Sequence, residues 1–328
     1  MKINPRASIA VLTAATLVTA LAACSGGGAE KTNSSNTGGG GGNSGYTIAV
    51  ITHETPGDTF WDRIKAGAQQ AAKDTGSTLK YSADPDATKQ AVLIQNAIDS
   101  KVDGIATTLV TPEALIPTVK KAVAAGIPVD SFNSGIDYYK QAGSLVHFAS
   151  NEFLGGQGAG QRAKADGATK VLCTIQQTGS VALEDRCKGV KDQFPNTENI
   201  QVNGADDAAV TSAIQAKLSQ DKSINWIITL GAAQGLDAVK AVKQAGANVK
   251  IGTFDTNPDA AQAVQDGQIQ FFIDQQPYLQ GYLSVMELYL FKKNGNIMGG
   301  GNAVLTGPSF VDKTNIAQIL PFVKANTR

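Results

Sequence analysis

Histidine is scarce in this sequence, and the short motifs of common catalytic centres are missing from it. Only two histidines, His53 and His147, occur among 328 residues, so any triad or histidine metal site would have to use one of these two. There is no Gly-x-Ser-x-Gly nucleophile elbow. The glycine run at 155–160 lacks the Lys-Ser/Thr ending of a phosphate loop, so we interpret it as small residues that let a helix pack closely on a strand. These absences argue against an enzyme and predict neither a metal nor a cofactor.

The sequence also lacks an excess of charge of one sign. Its 28 lysines and arginines balance 28 aspartates and glutamates, whereas a protein that binds nucleic acid needs a basic face. No basic amphipathic stretch suits a membrane surface either. We therefore expect no nucleic acid as partner, and contact with a membrane only through an anchor.

No apolar run reaches the roughly 20 residues that a transmembrane helix needs. The run at 9–21 is shorter, follows a basic start and ends at Ala22-Ala23-Cys24. This order resembles the export signal of bacterial lipoproteins, in which the cysteine becomes the lipid-bearing first residue; a signal-anchor helix is the alternative. We expect a signal peptide at 1–23 and lipidation of Cys24. The protein would then be extracytoplasmic and anchored to the cell membrane by its N-terminal lipid.

The segment 24–45 is almost wholly Gly, Ser, Asn and Thr, with no apolar residue able to start a core. Such a composition is typical of a flexible tether, so the folded part should begin near Tyr46. The roughly 280 residues that follow are too many for one typical core and suggest two lobes.

Two cysteines remain once Cys24 is set aside. An even number in an oxidising compartment favours a disulfide between Cys173 and Cys187. The closed loop of about 15 residues would contribute on the order of 3 kcal/mol to stability. Two separate buried thiols are the alternative.

From Tyr46 onward, short β-rich runs alternate with segments whose apolar residues recur at helical spacing. Several of the runs are apolar nearly throughout, which is typical of strands covered by helices on both faces. This alternation predicts an α/β fold with doubly wound parallel sheets. We predict ten strands, at 47–52, 78–82, 104–109, 127–131, 145–149, 170–174, 200–203, 226–230, 250–254 and 268–273.

In open α/β sheets, ligands bind beyond the carboxyl ends of the strands. The residues at those positions here carry carboxylates, carboxamides or hydroxyls, and two aromatic rings stand beside the first of them. Such side chains suit a neutral, polyhydroxylated ligand, because a planar ring covers the apolar face of a sugar. The alternative is that these residues only cap helices. The candidate ligand-binding residues are His53, Asp58, Phe60, Trp61, Asn133, Ser134, Arg186, Asp206, Asp207, Asp255 and Gln275.

The sequence carries, in this order, the segments 46–76, 125–129 with Asn133, 154–160, 252–255 with 257–259, and 274–277. Together they resemble the ribose-type periplasmic sugar-binding proteins of ABC importers. The resemblance implies two Rossmann-like lobes with parallel doubly wound sheets, joined by a three-crossing hinge and closing on a sugar. Lobe 1 would comprise 46–148 plus 277–304, and lobe 2 would comprise 150–273 plus 307–328. The region of similarity is 46–313.

The resemblance also implies roles for individual residues. Phe60 and Trp61 match the family's aromatic pair, and Asp58 stands where the family has an asparagine. Arg186, Asp255 and Gln275 match its arginine, late-strand aspartate and crossing glutamine. Asn133-Ser134 replaces an Asp-Arg pair, and Gly231 replaces an asparagine, so ribose itself is not expected.

We therefore expect a monomeric solute receptor that delivers a small sugar, polyol or inositol to an ABC importer permease. A sensing receptor that presents its ligand to a membrane signalling protein would have the same sequence features. A secreted carbohydrate-active enzyme would need a pair of carboxylates, for which Asp58 and Asp255 are the candidates.

Overall fold

The computed structural model describes residues 44–328. The proposed signal peptide, Cys24 and nearly all of the proposed tether lie outside these residues. Ser44, which we had assigned to the tether, already donates a backbone hydrogen bond to the Gly76 carbonyl at 2.9 Å. Among the described helices, none is both long enough and apolar enough to cross a membrane.

The first sheet has six strands, all paired in parallel, in the order β11-β5-β4-β3-β1-β2. Its strands are apolar on both faces because helices cover both: Ile48 and Val50 pack on one side, Ala49 and Ile51 on the other. The strands are β1 (Thr47–Thr52), β2 (Thr78–Ala83), β3 (Gly104–Thr107), β4 (Val129–Phe132), β5 (His147–Ser150) and β11 (Val304–Gly307). Its helices are α1 (Phe60–Thr75), α2 (Ala87–Asp99), α3 (Pro112–Ala124), α4 (Tyr139–Ala142) and α10 (Pro277–Asn294).

Helices α1 and α10 cross at two glycines. A Cβ on Gly67 would collide with the Tyr278 carbonyl, and a Cβ on Gly281 would collide with the Ile64 carbonyl. Since only glycine allows this approach of two backbones, the crossing holds the start of α1 firmly against the sheet. Phe60 and Trp61 lie at that start.

The second sheet has the order β12-β10-β9-β8-β6-β7. Within it, β12 pairs antiparallel with β10, whereas the other neighbours are parallel. The strands are β6 (Val171–Ile175), β7 (Thr197–Gln201), β8 (Trp226–Thr229), β9 (Lys250–Phe254), β10 (Phe271–Asp274) and β12 (Ser309–Asp312). The helices are α5 (Glu152–Ala165), α6 (Val181–Gln193), α7 (Asp207–Gln220), α8 (Ala232–Ala245), α9 (Pro258–Gln265) and α11 (Ile316–Lys324).

The predicted fold class is confirmed, with two strands more than predicted among the described residues. β11 and β12 are edge strands that flank Pro308. A strand at the edge of a sheet needs few apolar residues. β12 is antiparallel, so the second sheet is not wholly parallel. The strand predicted at 200–203 is β7, Thr197–Gln201; it is also an edge strand, with alternating exposed residues.

The chain crosses between the two sheets three times: between β5 and α5, between β10 and α10, and between β11 and β12. All three crossings lie close together. Asn151 donates its backbone N–H to the Gly307 carbonyl at 3.2 Å, and the Thr306 hydroxyl donates to the Gln275 carbonyl at 2.7 Å. Hydrogen bonds of this kind tie the three strands of the hinge to one another.

The predicted disulfide is present. Cys173 of β6 is bonded to Cys187 of α6, with the two Cα atoms 5.9 Å apart. Beside it, α5 packs on α6 through the glycine run: a Cβ on Gly156 would collide with the Arg186 carbonyl. The glycines therefore serve mainly helix-on-helix packing rather than the helix-on-strand packing that we had expected, and they bring Arg186 close to the start of α5.

Candidate functional site

The carboxyl ends of both sheets face a shared cavity of about 1000 Å³. The volume is at the upper end of the range of roughly 300–1,000 Å³ found for small-molecule sites. Every candidate ligand-binding residue except Ser134 lines this cavity. The side chains that line it include His53, Asp58, Phe60, Trp61, Asn133, Gln176, Arg186, Asp206, Asp207, Gln234, Asp255 and Gln275.

One wall of the cavity is an aromatic corner that follows β1. The Phe60 and Trp61 ring centroids are 5.2 Å apart, with the rings inclined at 85°. Trp61 also meets the His53 ring edge-on at 4.6 Å. At the entrance to α1, the Asp58 carboxylate accepts from the Phe60 backbone N–H at 3.0 Å, which fixes the position of the two rings.

Asn133 lies just after β4 in a left-handed conformation, with φ of 64°. Asn tolerates this region better than most residues, and its side chain turns into the cavity while Nδ2 donates to Gln280 Oε1 at 3.4 Å. Ser134 does not line the cavity. The left-handed backbone of Asn133 turns the chain, and the Ser134 side chain is fully buried while its carbonyl accepts from Leu109 N at 3.0 Å.

Arg186 is held on the opposite wall by three partners. Its Nε donates to Glu152 Oε2 at 2.5 Å, its Nη1 donates to the Leu230 carbonyl at 2.7 Å, and its guanidinium lies over the Phe254 ring at 4.4 Å. The side chains of Arg186 and Glu152 are each 4% exposed. The ion pair is thus buried and not a surface pair.

Glu152 was not among the predicted residues. It is the first residue of α5, where an acid is ordinarily explained by the helix dipole, so the sequence carried no separate signal for its pairing with Arg186. Burial raises the pKa of Glu152, and Arg186 opposes that rise.

Asp255 follows β9 and also has a left-handed backbone, with φ of 62°. Its Oδ1 accepts from Gln275 Nε2 at 2.5 Å, and its Oδ2 lies 3.7 Å from Arg186 Nη1. Burial raises the pKa of Asp255 to about 7, against the opposing effects of Arg186 and Gln275. Asp255 and Asn133 occupy the same place in their respective sheets, each directly after the fourth strand along the chain.

Gln275 belongs to the cavity and to the hinge at once. Its side chain lines the cavity, but its Oε1 is buried and has no hydrogen-bond partner within the described chain. Its carbonyl accepts from Gln280 Nε2 at 3.1 Å and from Thr306 at 2.7 Å. Gln280, which sequence reasoning missed, links Asn133 to this hinge strand.

The remaining two predicted acids lie at the rim of the cavity. Asp206 caps α7, accepting from Ala209 N at 3.0 Å, which is the capping role we had named as the alternative. Asp206 and Asp207 are both exposed. The lining therefore carries four aspartates, 58, 206, 207 and 255, against the one arginine, 186, so a neutral hydroxylated ligand suits it better than an anionic one. Residues 44–328 contain no cluster of three or more His, Cys, Asp or Glu suited to a metal.

Loops from the two sheets meet across the mouth of the cavity. Val181 N donates to the Val110 carbonyl at 3.2 Å, and the Thr111 hydroxyl donates to the Gly179 carbonyl at 3.4 Å. Gln177 Nε2 reaches the Pro85 carbonyl at 3.5 Å. These bonds are long and few, whereas the hinge side is joined by continuous chain.

The two sheets, the three crossings between them and the polar cavity were compared with known protein families. The model of the periplasmic binding protein domain matches residues 48–295. The chain belongs to this family. The match spans most of the described residues and confirms the resemblance seen in the sequence.

A solved structure of a carbohydrate transporter from Acidothermus cellulolyticus 11B, in complex with myo-inositol, is 53% identical to this binding protein, with a TM-score of 0.85. The alignment covers 86% of this chain and 99% of that one. The xylose/arabinose-binding protein XylF of Sulfolobus acidocaldarius is 26% identical over 296 residues, 84% of this chain and 73% of its own length. The ribose import binding protein RbsB of Haemophilus influenzae is 29% identical over 250 residues, 73% of this chain and 82% of its own.

These relatives are binding proteins of transporters and not enzymes, as expected from the missing catalytic motifs. The relatives named above bind or import sugars, and this chain shares their periplasmic binding protein domain. The expectation of a carboxylate pair for glycoside hydrolysis is not supported: Asp255 is hydrogen-bonded to Gln275 and faces Arg186, a setting that suits the holding of a hydroxyl.

Proposed function

We propose that this protein captures one small cyclic polyol or sugar per chain by closure at the hinge and delivers it to the permease of an ABC importer. The observation that carries the proposal is the pairing of two unlike walls. Trp61 and Phe60 offer apolar ring surface on one side, and Arg186 and Asp255 offer a donor and an acceptor on the other. A ring with apolar C–H faces and hydroxyls around its edge matches both walls.

Among such ligands, myo-inositol is the first to test. The relative that is 53% identical was solved with it, and the cavity here has an acid-rich lining that favours a neutral ligand over a phosphorylated one. Inositol has no anomeric centre, and each of its ring carbons bears a hydroxyl. The Asp255 carboxylate would accept from such a hydroxyl.

We expect calorimetric titration to show one myo-inositol site per chain, and Trp61→Ala to weaken binding about ten- to a hundredfold by removing the stacking surface. The panel of competitors is D-xylose, L-arabinose, D-ribose, D-galactose and inositol phosphate. Phe322→Ala is the matched control, because Phe322 is an exposed ring on α11 that does not line the cavity. Equal affinity of the Trp61 variant and the parent chain would place the ligand elsewhere.

Closure should follow from contacts that exist only when both walls touch the ligand. Breaking the few long hydrogen bonds at the mouth of the cavity costs little free energy, so the ligand-free protein should populate open forms. We expect saturating ligand to lower the radius of gyration measured by small-angle X-ray scattering. An unchanged radius in a sample shown by calorimetry to be saturated would argue against hinge closure.

The anchor is proposed from the sequence, because Cys24 lies outside the described residues. A lipid on Cys24 and a flexible tether would keep the binding protein near its permease while it acts as a monomer. We expect mass spectrometry of the protein extracted from the membrane fraction of the producing cells to show Cys24 as the first residue, carrying acyl chains. A first residue other than Cys24, or an unmodified Cys24, would contradict the lipid anchor.

A further inference from the structure

We infer that His53 is held as its Nε2–H tautomer by a hydrogen-bond relay from Gln90 through Thr108, and that it presents this N–H to the ligand as a donor. The relay lies beneath the cavity wall and connects α2 and the end of β3 with the end of β1. The part that concerns the ligand rests on the proposed function, whereas the tautomer is a property of the ligand-free protein.

The relay begins at Gln90, which is fully buried. Its Nε2 lies 3.1 Å from the Thr108 carbonyl and 2.9 Å from Thr108 Oγ1. A carbonyl can only accept, so the amide must direct its NH₂ group toward Thr108. Turning the amide over would place Oε1 against that carbonyl, oxygen to oxygen, and would leave the NH₂ group without its acceptors.

The orientation of Gln90 determines the role of the Thr108 hydroxyl. Since Thr108 Oγ1 accepts from Gln90, its single proton is free to donate, and the neighbour within reach is His53 Nδ1 at 2.7 Å. The opposite arrangement, with Nδ1–H donating to Oγ1, would leave the hydroxyl proton with no acceptor among the hydrogen bonds of the described chain. A buried hydroxyl proton without an acceptor is unfavourable, so Nδ1 accepts and the ring proton is on Nε2.

The Nε2 atom faces the cavity. It has no hydrogen-bond partner in residues 44–328, yet it is not one of the fully buried unpartnered atoms, and His53 lines the cavity. Burial lowers the pKa of His53 to about 3, with Arg186 adding to the effect, so the ring is neutral at physiological pH. Trp61, packed edge-on against the ring, limits its rotation.

His53 and Asp255 together place two complementary requirements on the ligand. His53 requires an acceptor oxygen beside the aromatic corner, while Asp255 on the other wall requires a hydroxyl that donates. A hydroxyl can serve in either place, but an ammonium group cannot accept from His53. The relay therefore makes His53 a specificity-determining residue that favours hydroxylated over aminated rings, with Gln90 and Thr108 as positioning residues.

The tautomer can be read directly from the ¹⁵N chemical shifts of the imidazole nitrogens in the ligand-free protein, because protonated and unprotonated nitrogens are well separated. The chain has two histidines, so a spectrum of His53→Gln assigns the signals. We expect Nε2 to be protonated and Nδ1 not. A protonated Nδ1 would overturn the inference whatever the protein binds.

The relay is tested with two variants of Thr108. Thr108→Val keeps the shape and removes the hydroxyl, so we expect a mixture of tautomers and affinity for myo-inositol lower by about five- to tenfold. Thr108→Ser keeps the hydroxyl and should match the parent chain in both readouts. A valine variant with the parent's tautomer and affinity would overturn the role of the relay. An Nε2–H tautomer in a protein that binds no sugar or polyol would support the tautomer and contradict the proposed function.

Discussion

Replacing Arg186 by alanine is expected to lower the free energy of unfolding by about 3–5 kcal/mol, because it leaves Glu152 buried without its partner. Both side chains are 4% exposed, so water cannot replace the lost guanidinium. The Leu230 carbonyl would lose its donor at the same time. Urea denaturation of the oxidised protein, in the absence of ligand, measures the effect.

Two further variants separate the contribution of burial to the unfolding free energy from that of charge. Arg162 pairs with Asp312 at 2.9 Å but is 40% exposed, and its guanidinium lies 4.5 Å from the Phe310 ring centroid, so Arg162→Ala should cost about 1–2 kcal/mol. Replacing both members of the buried pair, as Arg186→Met with Glu152→Met, should recover much of the stability while ligand binding stays impaired. A cost for Arg186→Ala as small as that for Arg162→Ala would show that Glu152 is readily hydrated or protonated in place.

The regular part of the fold was predictable because buried parallel strands are marked by continuous apolar runs. The strands at 47–52 and 250–254 have the bounds that their sequences predicted. β11 and β12 were not predicted as strands, because an edge strand needs little apolar surface and Pro308 separates the two. The predicted start of β7 is about three residues too late for the same reason. Alternate residues of this edge strand are exposed, so the apolar pattern does not mark where the strand begins.

The cavity wall was predictable to a large degree, because topology alone brings the residues after parallel strands to one edge. What could not be predicted are the residues that hold that wall in place. Glu152 is 34 residues from Arg186, Thr108 is 55 from His53, and Gln280 is 147 from Asn133. The contacts of Glu152 and Gln280 depend on how helices pack, and that of Thr108 depends on the register between the neighbouring strands β1 and β3; no local pattern in the sequence records either.

Ser134 shows a different limit of prediction from the sequence. We placed it in the site with Asn133 because both follow the same strand, but Asn133 has a left-handed backbone and the chain turns there. The residue after the turn faces the interior. A single backbone conformation thus decides which of two neighbouring polar residues reaches the cavity.

The stability of the ligand-free protein is expected to fall as pH rises through about 7, owing to Asp255. Its pKa is about 7 when folded and about 3.9 when unfolded, so between these values the folded state holds a proton that the unfolded state has lost. This stabilisation is complete below about pH 4 and is lost by the time the pH has passed 7. At about 1.4 kcal/mol per pKa unit, it amounts to roughly 4 kcal/mol.

Asp255→Asn isolates this contribution, because asparagine tolerates the same left-handed backbone and does not titrate. The groups that face Asp255 are Arg186, Gln275, Glu152 and Asp58, and all remain in the variant. The difference in unfolding free energy between the two proteins, measured by urea denaturation from pH 4 to pH 8, should therefore change with pH as the Asp255 carboxyl titrates. A pH-independent difference would contradict the raised pKa.

Ligand binding should show the opposite pH dependence. A hydroxyl that donates to Asp255 favours the carboxylate, so binding near pH 6 should release protons, and affinity should weaken as pH falls below about 7. Titration calorimetry in buffers with different ionisation enthalpies counts the released protons. Asp259→Asn, an exposed aspartate outside the cavity, should behave as the parent chain, whereas Asp255→Asn should bind weakly at every pH. Affinity that is constant or stronger at low pH would mean that Asp255 donates to its ligand as a protonated acid, and the acceptor role assigned to it here would be wrong.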